Sequence, residues 1–563
     1  MSSDHVSQRP IVSHQNGRRT RTFRAAIGLA TFSLAGLAGC FLSSDGVPPP
    51  LYEFYYPTGL LVSPGATTLY VANSDFDLQY ASGTLQSLDL STLRDTTRTL
   101  RDGLSTGLEA SAACKKIGVG TNPSSTLYPG PCAPVTLKPF VKKVAQIGAF
   151  ASGIALAHKP CDEGRGARLF VPVRGDPSIT YFDVDDDRPS VCGASNPATG
   201  SCKDNVICLD CGQTADGERC SDSFLIGRDP AQSQRGLTLP VEPFGMAIDE
   251  RGEAIVTAHQ TTQQVSLVVN HWDRLPTLEH YLSDLSPGPT DIAALPIPRI
   301  VEENRETINY TPAFITTFRS APEVDIIRYA DDAGASPPRP FVTRALAASV
   351  AVTASSTDSR GVAIDGSARR ACEQLCPSAT TEIERQTRNV CLRTCAETNP
   401  LEMFMANRAP AALVIGALET VFAEASGPNG TIVTGAYEKP SFYDSVPLAF
   451  GASRVVLGHV IDRDGHLARR VFAVTFDSRF VFSYDPEARR VDAVIRTGRG
   501  PHAIAFDTGT EVDEAGATKA YSTMYVGHFT DSYIGVVDLD TRNPTFGSMY
   551  MTLGQPVPPK ESQ

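Results

Sequence analysis

PFGMAIDERGEAIVTAH, residues 243 to 259, holds an apolar tetrad opened by Pro-x-Gly, an Asp-x-x-Gly turn and a second apolar run. Runs of this length, bounded by Gly, Pro and Asp and rich in β-branched residues, read as a pair of short strands joined by a tight turn. Similar units lie at 57–90, 151–185, 243–269 and 290–329. Three more follow at 360–416 (interrupted), 454–485 and 500–540. Many of the runs are apolar throughout, VFAVTF at 471 being typical, which is the pattern of strands covered on both faces.

Seven units in order, at an irregular spacing with long insertions, point to a radial or stacked repeat. Each unit supplies a first, second and third strand. A fourth is visible where insertions permit, as FVKKVAQI at 140, RVDAVIRT at 490 and SMYMTL at 548. Four short antiparallel strands per unit fit an all-β fold, a seven-bladed β-propeller. The strand content alone also fits a pair of β-sandwiches, and circular symmetry separates the two. LYVANS at 69, MYVGHF at 524 and the repeated Pro-x-Gly-apolar opening resemble the YVTN or NHL-type propeller repeats of exported bacterial proteins. The resemblance covers most of residues 52–553. Unit four lacks the Gly of that opening, and unit six lacks the Pro-x-Gly altogether.

In a propeller the connections between first and second strands, and between third and fourth, share one end of the axis. The insertions 91–139 and 186–235 follow third strands, and 366–402 and 507–520 follow first strands, so all four are expected at that end. The other end keeps short loops around the channel mouth. There Thr58, Ser152, Phe244, Thr290, Arg360 and His502 are expected near the axis. Asn73, Arg174, His259, Arg319, Arg408, Asp477 and His528 are expected just outside them.

That ring is the candidate binding face. His259, His502 and His528 beside Asp477 offer ligand types that suit a metal, but none is paired at ligand spacing, and no metal or cofactor is expected. Arg174, Arg319, Arg360 and Arg408 suit a small anionic ligand through forked hydrogen bonds. No Gly-x-Ser-x-Gly, His-Glu-x-x-His or Gly-x-x-x-x-Gly-Lys motif occurs. Trp272 is the only tryptophan, unlike the Trp-rich blades of quinone-dependent propeller dehydrogenases.

The net charge of -12 disfavours a nucleic-acid partner, because phosphate binding needs clustered Lys and Arg. Arg18, Arg19, Arg21 and Arg24 precede AAIGLATFSLAGLAGC, an apolar segment too short to span a bilayer and suited to export. LAGC at 37–40 resembles the lipobox of bacterial lipoproteins. The resemblance implies that residues 1–39 are removed and that Cys40 carries acyl chains, each buried methylene contributing ~0.8 kcal/mol to anchoring. Residues 40–51 are then a lipidated tether, 52–553 the propeller and 554–563 a C-terminal tail. The expected location is the cell envelope outside the cytoplasm, with the outer membrane favoured and the membrane itself a partner through the lipid.

Thirteen cysteines include Cys40, and the remaining even number in an exported chain reads as disulfides. They concentrate in the insertions, which lack a core of their own and need covalent staples. Cys372, Cys376, Cys391 and Cys395 form C-x3-C, x14, C-x3-C. Residues four apart share a helix face, so a helical hairpin would pair Cys372 with Cys395 and Cys376 with Cys391. Pro377 ends the first helix near Cys376, and zinc is the alternative use of the four thiols. Cys114 and Cys132 are expected to bridge the first insertion.

The function these features suggest is a lipid-anchored binding or scaffold protein of the envelope, recognising an envelope protein or a small anion. The alternative is a propeller hydrolase or lactonase with its site at the channel mouth.

Overall fold

The structure, a computed structural model, describes residues 46–161, 164–188, 207–296, 312–332, 339–350, 357–426, 432–512 and 518–557. The export segment 1–39, Cys40, the start of the 40–51 tether, Cys192 and Cys202 lie outside them. Residues from Val47 onward belong to one compact unit.

Its strands form seven sheets, each built from consecutive antiparallel strands. Blade 1 is β1 (Pro57–Val62), β2 (Thr68–Asn73), β3 (Gly83–Asp89) and β4 (Val141–Ile147). Blade 2 is β5 (Ala155–His158), β6 (Ala167–Val173) and β7 (Ser178–Val184), with an outer edge split into β8 (Leu209–Asp210) and β9 (Leu225–Ile226), both paired to β7. Blade 3 is β10 (Pro243–Ile248), β11 (Ala254–His259), β12 (Gln264–Val269) and β13 (Thr277–Leu282). Blade 4 is β14 (Pro289–Ala294), β15 (Ala313–Phe318), β16 (Glu323–Asp332) and β17 (Arg339–Ser349). Blade 5 is β18 (Thr357–Asp365), β19 (Leu401–Ala409), β20 (Ala411–Ser426) and β21 (Ile432–Pro447). Blade 6 is β22 (Ala452–Ile461), β23 (Leu467–Thr475), β24 (Phe480–Asp485) and β25 (Arg490–Arg496). Blade 7 is β26 (Pro501–Val512), β27 (Thr518–His528), β28 (Tyr533–Asp538) and β29 (Met549–Leu553).

The core shows that the sheets close into a ring. It is divided into separate clusters, each filling the space between two neighbouring sheets. Tyr70 and Leu85 meet Leu169 and Phe182 between blades 1 and 2. Phe170 and Tyr181 meet Ile255 and Val268 between blades 2 and 3. The series continues through blades 3/4, 4/5, 5/6 and 6/7. It returns to its start where Tyr525, Ile534 and Val536 of blade 7 pack on Leu69, Val71 and Leu88 of blade 1. A pair of sandwiches would not bring the last sheet against the first. Because each sheet is covered on both faces, the second strands β2, β6, β11 and β15 are buried at every residue, which explains their unbroken apolar runs.

The Pro-x-Gly opening serves the axis. Register slips by a bulge directly after the first residues of β1, β10, β14, β18, β22 and β26. The bulge turns the backbone where neighbouring first strands crowd. A Cβ on Gly245 would lie 2.4 Å from the Thr290 carbonyl oxygen, and one on Gly361 would lie 2.9 Å from Cα of Arg454. A side chain at either position would collide with the next blade's backbone.

The insertions share one end of the axis, as their strand positions require. Between β3 and β4 come α1 (Leu90–Ser105) and α2 (Ala110–Lys116), stapled by Cys114–Cys132. Between β18 and β19 come α3 (Ser367–Gln374) and α4 (Glu382–Thr398), stapled by Cys372–Cys395 and Cys376–Cys391. Those bonds consume the thiols, so the zinc alternative falls. The first helix stops at Gln374, short of Cys376, in keeping with Pro377 just beyond it. The second is started by a capping box between Thr381 and Glu384. Cys211 pairs with Cys220 in the second insertion, and Cys161 and Cys208 are disulfide-bonded as well.

The first insertion differs from expectation in what it does. Leu90, Leu93, Leu100 and Ala113 belong to the cluster between blades 7 and 1. Val135 joins β29 edge to edge: its N–H donates to the Thr552 carbonyl at 2.8 Å, and its own carbonyl accepts from Gly554 at 2.9 Å. It therefore clasps the seam at which the ring closes. The outer strands of blade 5 also extend beyond residue 416, where the sequence pattern stops. Beyond 416, β20 alternates buried Leu418 and Thr420 with exposed Glu419 and Val421, and the described side chains of β21 are mostly half-buried or exposed with Pro440 among them, so neither continues the apolar run that marks a strand.

Candidate functional site

At the short-loop end, the side chains of the mouth fall into three groups. The first are buried inside their own blades. Asn73 donates to Thr84 Oγ1 at 3.0 Å and Gln86 Oε1 at 3.2 Å. His259 bonds Ser266 Oγ at 2.8 Å and the Val241 carbonyl at 3.2 Å. His528 stacks on Tyr533 with ring centroids 4.1 Å apart, and its Nε2 accepts from the Gly498 N–H at 3.0 Å. Burial pushes the imidazole of His259 down to about 4 and that of His528 down to about 3, so both are neutral. They sit in blades 3 and 7, pinned by their own sheets, and do not converge with Asp477 as a metal site would require.

The second group is the arginines expected on this face, and all four are engaged. Arg174 at the end of blade 2 reaches both oxygens of Glu242, at 3.0 Å each, where the chain enters blade 3. Arg319 of blade 4 faces Asp358 of blade 5 at 3.7 Å, and Arg360 forks onto the same carboxylate. Arg408 of blade 5 reaches Asp477 of blade 6 at 2.6 Å. Each of Arg174, Arg319 and Arg408 thus ties one blade to the next, and its positive charge is matched by a carboxylate. This replaces the expected cationic ring with a stitched rim in which these charges are neutralised.

The third group was not anticipated: a cluster of aromatic rings from the short loops. Phe76 lies 5.1 Å from Phe529 and 5.6 Å from Phe150, and Tyr56 lies 5.1 Å from Phe529. Phe476 and His502 continue the chain of contacts, His502 being 5.9 Å from Phe529. Phe76 is 49% exposed and Phe450, beneath the Arg408 guanidinium, 66% exposed, so part of this apolar surface stands in water. The signal in the sequence was a Phe beside each loop's Gly, Ser or Asp, as in Phe76-Asp77, Phe150-Ala151-Ser152 and Phe450-Gly451.

Below the rings runs the axis, lined by the first strands. At the third residue of the opening, five blades carry Gly59, Gly153, Gly245, Gly361 or Ala503. Blade 4 carries Asp291 and blade 6 carries Arg454. The two units that depart from the repeat therefore place charges at a level that is otherwise Gly or Ala. Asp291 accepts a hydrogen bond from the Val362 N–H of blade 5 at 3.0 Å. Burial raises its carboxyl, and Arg454 pulls the other way. Burial lowers the Arg454 guanidinium, while Asp291 supports its charge. His502 is pushed down to about 3 by burial and by the neighbouring Arg454 charge. Its Nδ1 has no hydrogen-bond partner among the described residues.

No family of known sequences and no curated relative matches this chain. Solved structures do. A candidate 6-phosphogluconolactonase from Bacteroides uniformis is 12% identical, with a TM-score of 0.38, over 79% of this chain and 86% of its own. Hydrazine synthase from Kuenenia stuttgartiensis is 11% identical, with a TM-score of 0.38, over 86% and 96%. The periplasmic gluconolactonase PpgL of Pseudomonas aeruginosa is 12% identical, with a TM-score of 0.35, over 79% and 86%.

Proposed function

We propose that the protein is an exported, lipid-tethered binding and scaffold protein of the cell envelope, and that it presents the α3–α4 hairpin to an envelope protein. The observation that carries this reading is apolar surface held in water on a doubly stapled element. Leu375 is 85% exposed, Ile383 78% and Val390 66%. Ile383 and Val390 are seven residues apart and share one face of α4. The base of the hairpin is fixed to the ring: Arg369, 1% exposed, donates to the Asn399 carbonyl at 3.1 Å and to Thr420 Oγ1 at 2.8 Å. Exposed apolar side chains on a rigid mount favour docking over folding. The Arg-rich segment before LAGC and Cys40 support export and tethering.

The test is chemical cross-linking in intact envelopes. Native protein should yield a discrete adduct with a second protein, lost in the Ile383→Glu/Val390→Glu double variant and kept in Phe450→Glu at the opposite end. The same adduct in the double variant, or none with native protein, would sink the reading. Cys40→Ser should release the chain from membranes. A lactone hydrolysed by native protein but not by His502→Asn would replace this reading with the hydrolase or lactonase alternative.

A further inference from the structure

We infer that the axial channel is a binding site for a small organic monocarboxylate with a flat ring body, its carboxylate held by Arg454 and its ring taken up by the aromatic cluster at the mouth. The site lies at the end of the ring away from α3–α4 and does not depend on that hairpin's partner.

Arg454 is the starting point. It is half-buried on β22, and among the described residues its side chain donates no hydrogen bond and no carboxylate lies within 4.0 Å of it. By contrast, Arg174, Arg319, Arg360, Arg408 and Arg499 at this end all have an acidic partner inside that distance. Its nitrogens are not closed off from solvent, so the forked donors are open to water or to a ligand that supplies the acceptors. Asp291 is felt electrostatically by Arg454 but is held away, on the Val362 N–H.

The surroundings leave room for a ligand. The first strands are where solvent reaches: Ile154, Ala155, Leu156, Met246, Ala247 and Ile248 are half-buried, whereas the strands behind them are closed. A Cβ placed on Gly153, the residue of blade 2 at the level of Arg454, would meet nothing within 4 Å. Blade 2 thus leaves space at the level of Arg454, whereas Gly59, Gly245 and Gly361 lie against the neighbouring blade.

The ligand's charge follows from the pair. One unpaired guanidinium calls for one negative charge, and a carboxylate matches its two parallel donors. A dianion such as phosphate carries one charge more than the guanidinium offsets and would sit in the field of the Asp291 carboxylate, so it is disfavoured. The body follows from the mouth. His502, within the field of Arg454, is packed between Phe476 and Phe529, and Phe76 lies against Phe529 with half its surface in water. Such faces and edges favour a flat ring in offset or edge-on contact.

Titration calorimetry on the full chain in detergent tests the assignment, with benzoate, benzyl alcohol and inorganic phosphate as probes. Benzoate should bind once per chain, at least roughly tenfold more tightly than benzyl alcohol or phosphate, a gap typical of one charge-assisted forked contact. Arg454→Met should lose at least about tenfold in benzoate affinity at an unchanged far-ultraviolet spectrum. Asp291→Asn keeps Arg454 and removes the competing carboxylate, so it should tighten benzoate several-fold. It also serves as the readout should Arg454→Met fail to fold. Absence of benzoate binding, equal binding of benzyl alcohol, tighter binding of phosphate, or unchanged affinity in either variant would each overturn the assignment. Ile383→Glu/Val390→Glu should leave benzoate binding intact, so failure of the docking reading and failure of this one are separable.

Discussion

The seam between blades 7 and 1 depends on an ion pair that can be taken apart one charge at a time. Arg94 of α1 forks onto Asp507 of β26, Nε to Oδ2 at 2.8 Å and Nη2 to Oδ1 at 2.7 Å, across 413 residues of chain. The Asp507 side chain is 1% exposed and that of Arg94 20%. Arg94→Met therefore takes the forked guanidinium away from a carboxylate that stays buried and keeps its other contacts. Breaking a fully buried pair from one side costs about 3–5 kcal/mol, and the partial exposure of Arg94 and the other contacts of Asp507 bring this one below that range, to about 2–3 kcal/mol. Replacing both partners removes the buried charge as well, so Arg94→Met/Asp507→Leu should recover part of that loss. Unfolding entropy of roughly 2.1 cal/mol/K per residue over about 500 ordered residues gives about 1 kcal/mol/K, so the single variant should melt about 2–3 °C lower. The assay is a double-mutant cycle by calorimetry, with hydrogen exchange read at the amides of Met549–Leu553. The single variant should speed exchange there more than at Ala254–His259 on the far side of the ring. A single-variant loss under about 0.5 kcal/mol, or a double variant no better than the single, would refute the view that α1 clasps the seam through this pair.

Two further outcomes follow from the same physics. Cys114→Ser/Cys132→Ser opens a loop spanning 18 residues, which corresponds to about 3 kcal/mol of lost denatured-state constraint; denaturant titration should show that loss, and exchange should again rise first at β29 and β1. Asp325 on β16 has no hydrogen bond to either carboxylate oxygen and faces Arg344 at 3.7 Å, and burial lifts its carboxyl to about 6. Its folded value thus lies above the unfolded one, so the native state holds the proton more tightly: the penalty is absent below about pH 4, grows as pH rises towards 6 and is fully present above it. Asp325→Asn should stabilise the protein by on the order of 1–2 kcal/mol at pH 8 and leave it nearly unchanged at pH 4, and urea titrations at the two values will show whether the difference has that sign.

Local rules made the architecture readable. Short apolar runs with Gly, Pro and Asp punctuation marked the inner strands. Blade 2's outer edge was invisible because it is only β8 and β9, two residues each and separated by a stapled loop. The Cys372–Cys395 and Cys376–Cys391 pairs were legible because a four-residue offset on two antiparallel helices leaves little choice of partner. At the mouth the same reasoning placed His259, His528 and the arginines at strand ends but could not see their partners. Glu242, Asp358 and Asp477 meet arginines from other blades, and Ser266 and Gly498 come from loops or strands whose side-chain direction the sequence does not state.

By itself, then, the sequence determined the repeat, the end of the axis at which the insertions lie, and the staples within two of them, since each rests on spacing along a few residues. Only the tertiary structure decided that the first insertion closes the ring, that the rim arginines are matched by carboxylates, and that Asp291 and Arg454 confront each other at the axis. Those outcomes join residues tens to hundreds of positions apart, and such contacts exist only once seven sheets have packed and turned the odd residues of two imperfect repeats toward a common centre.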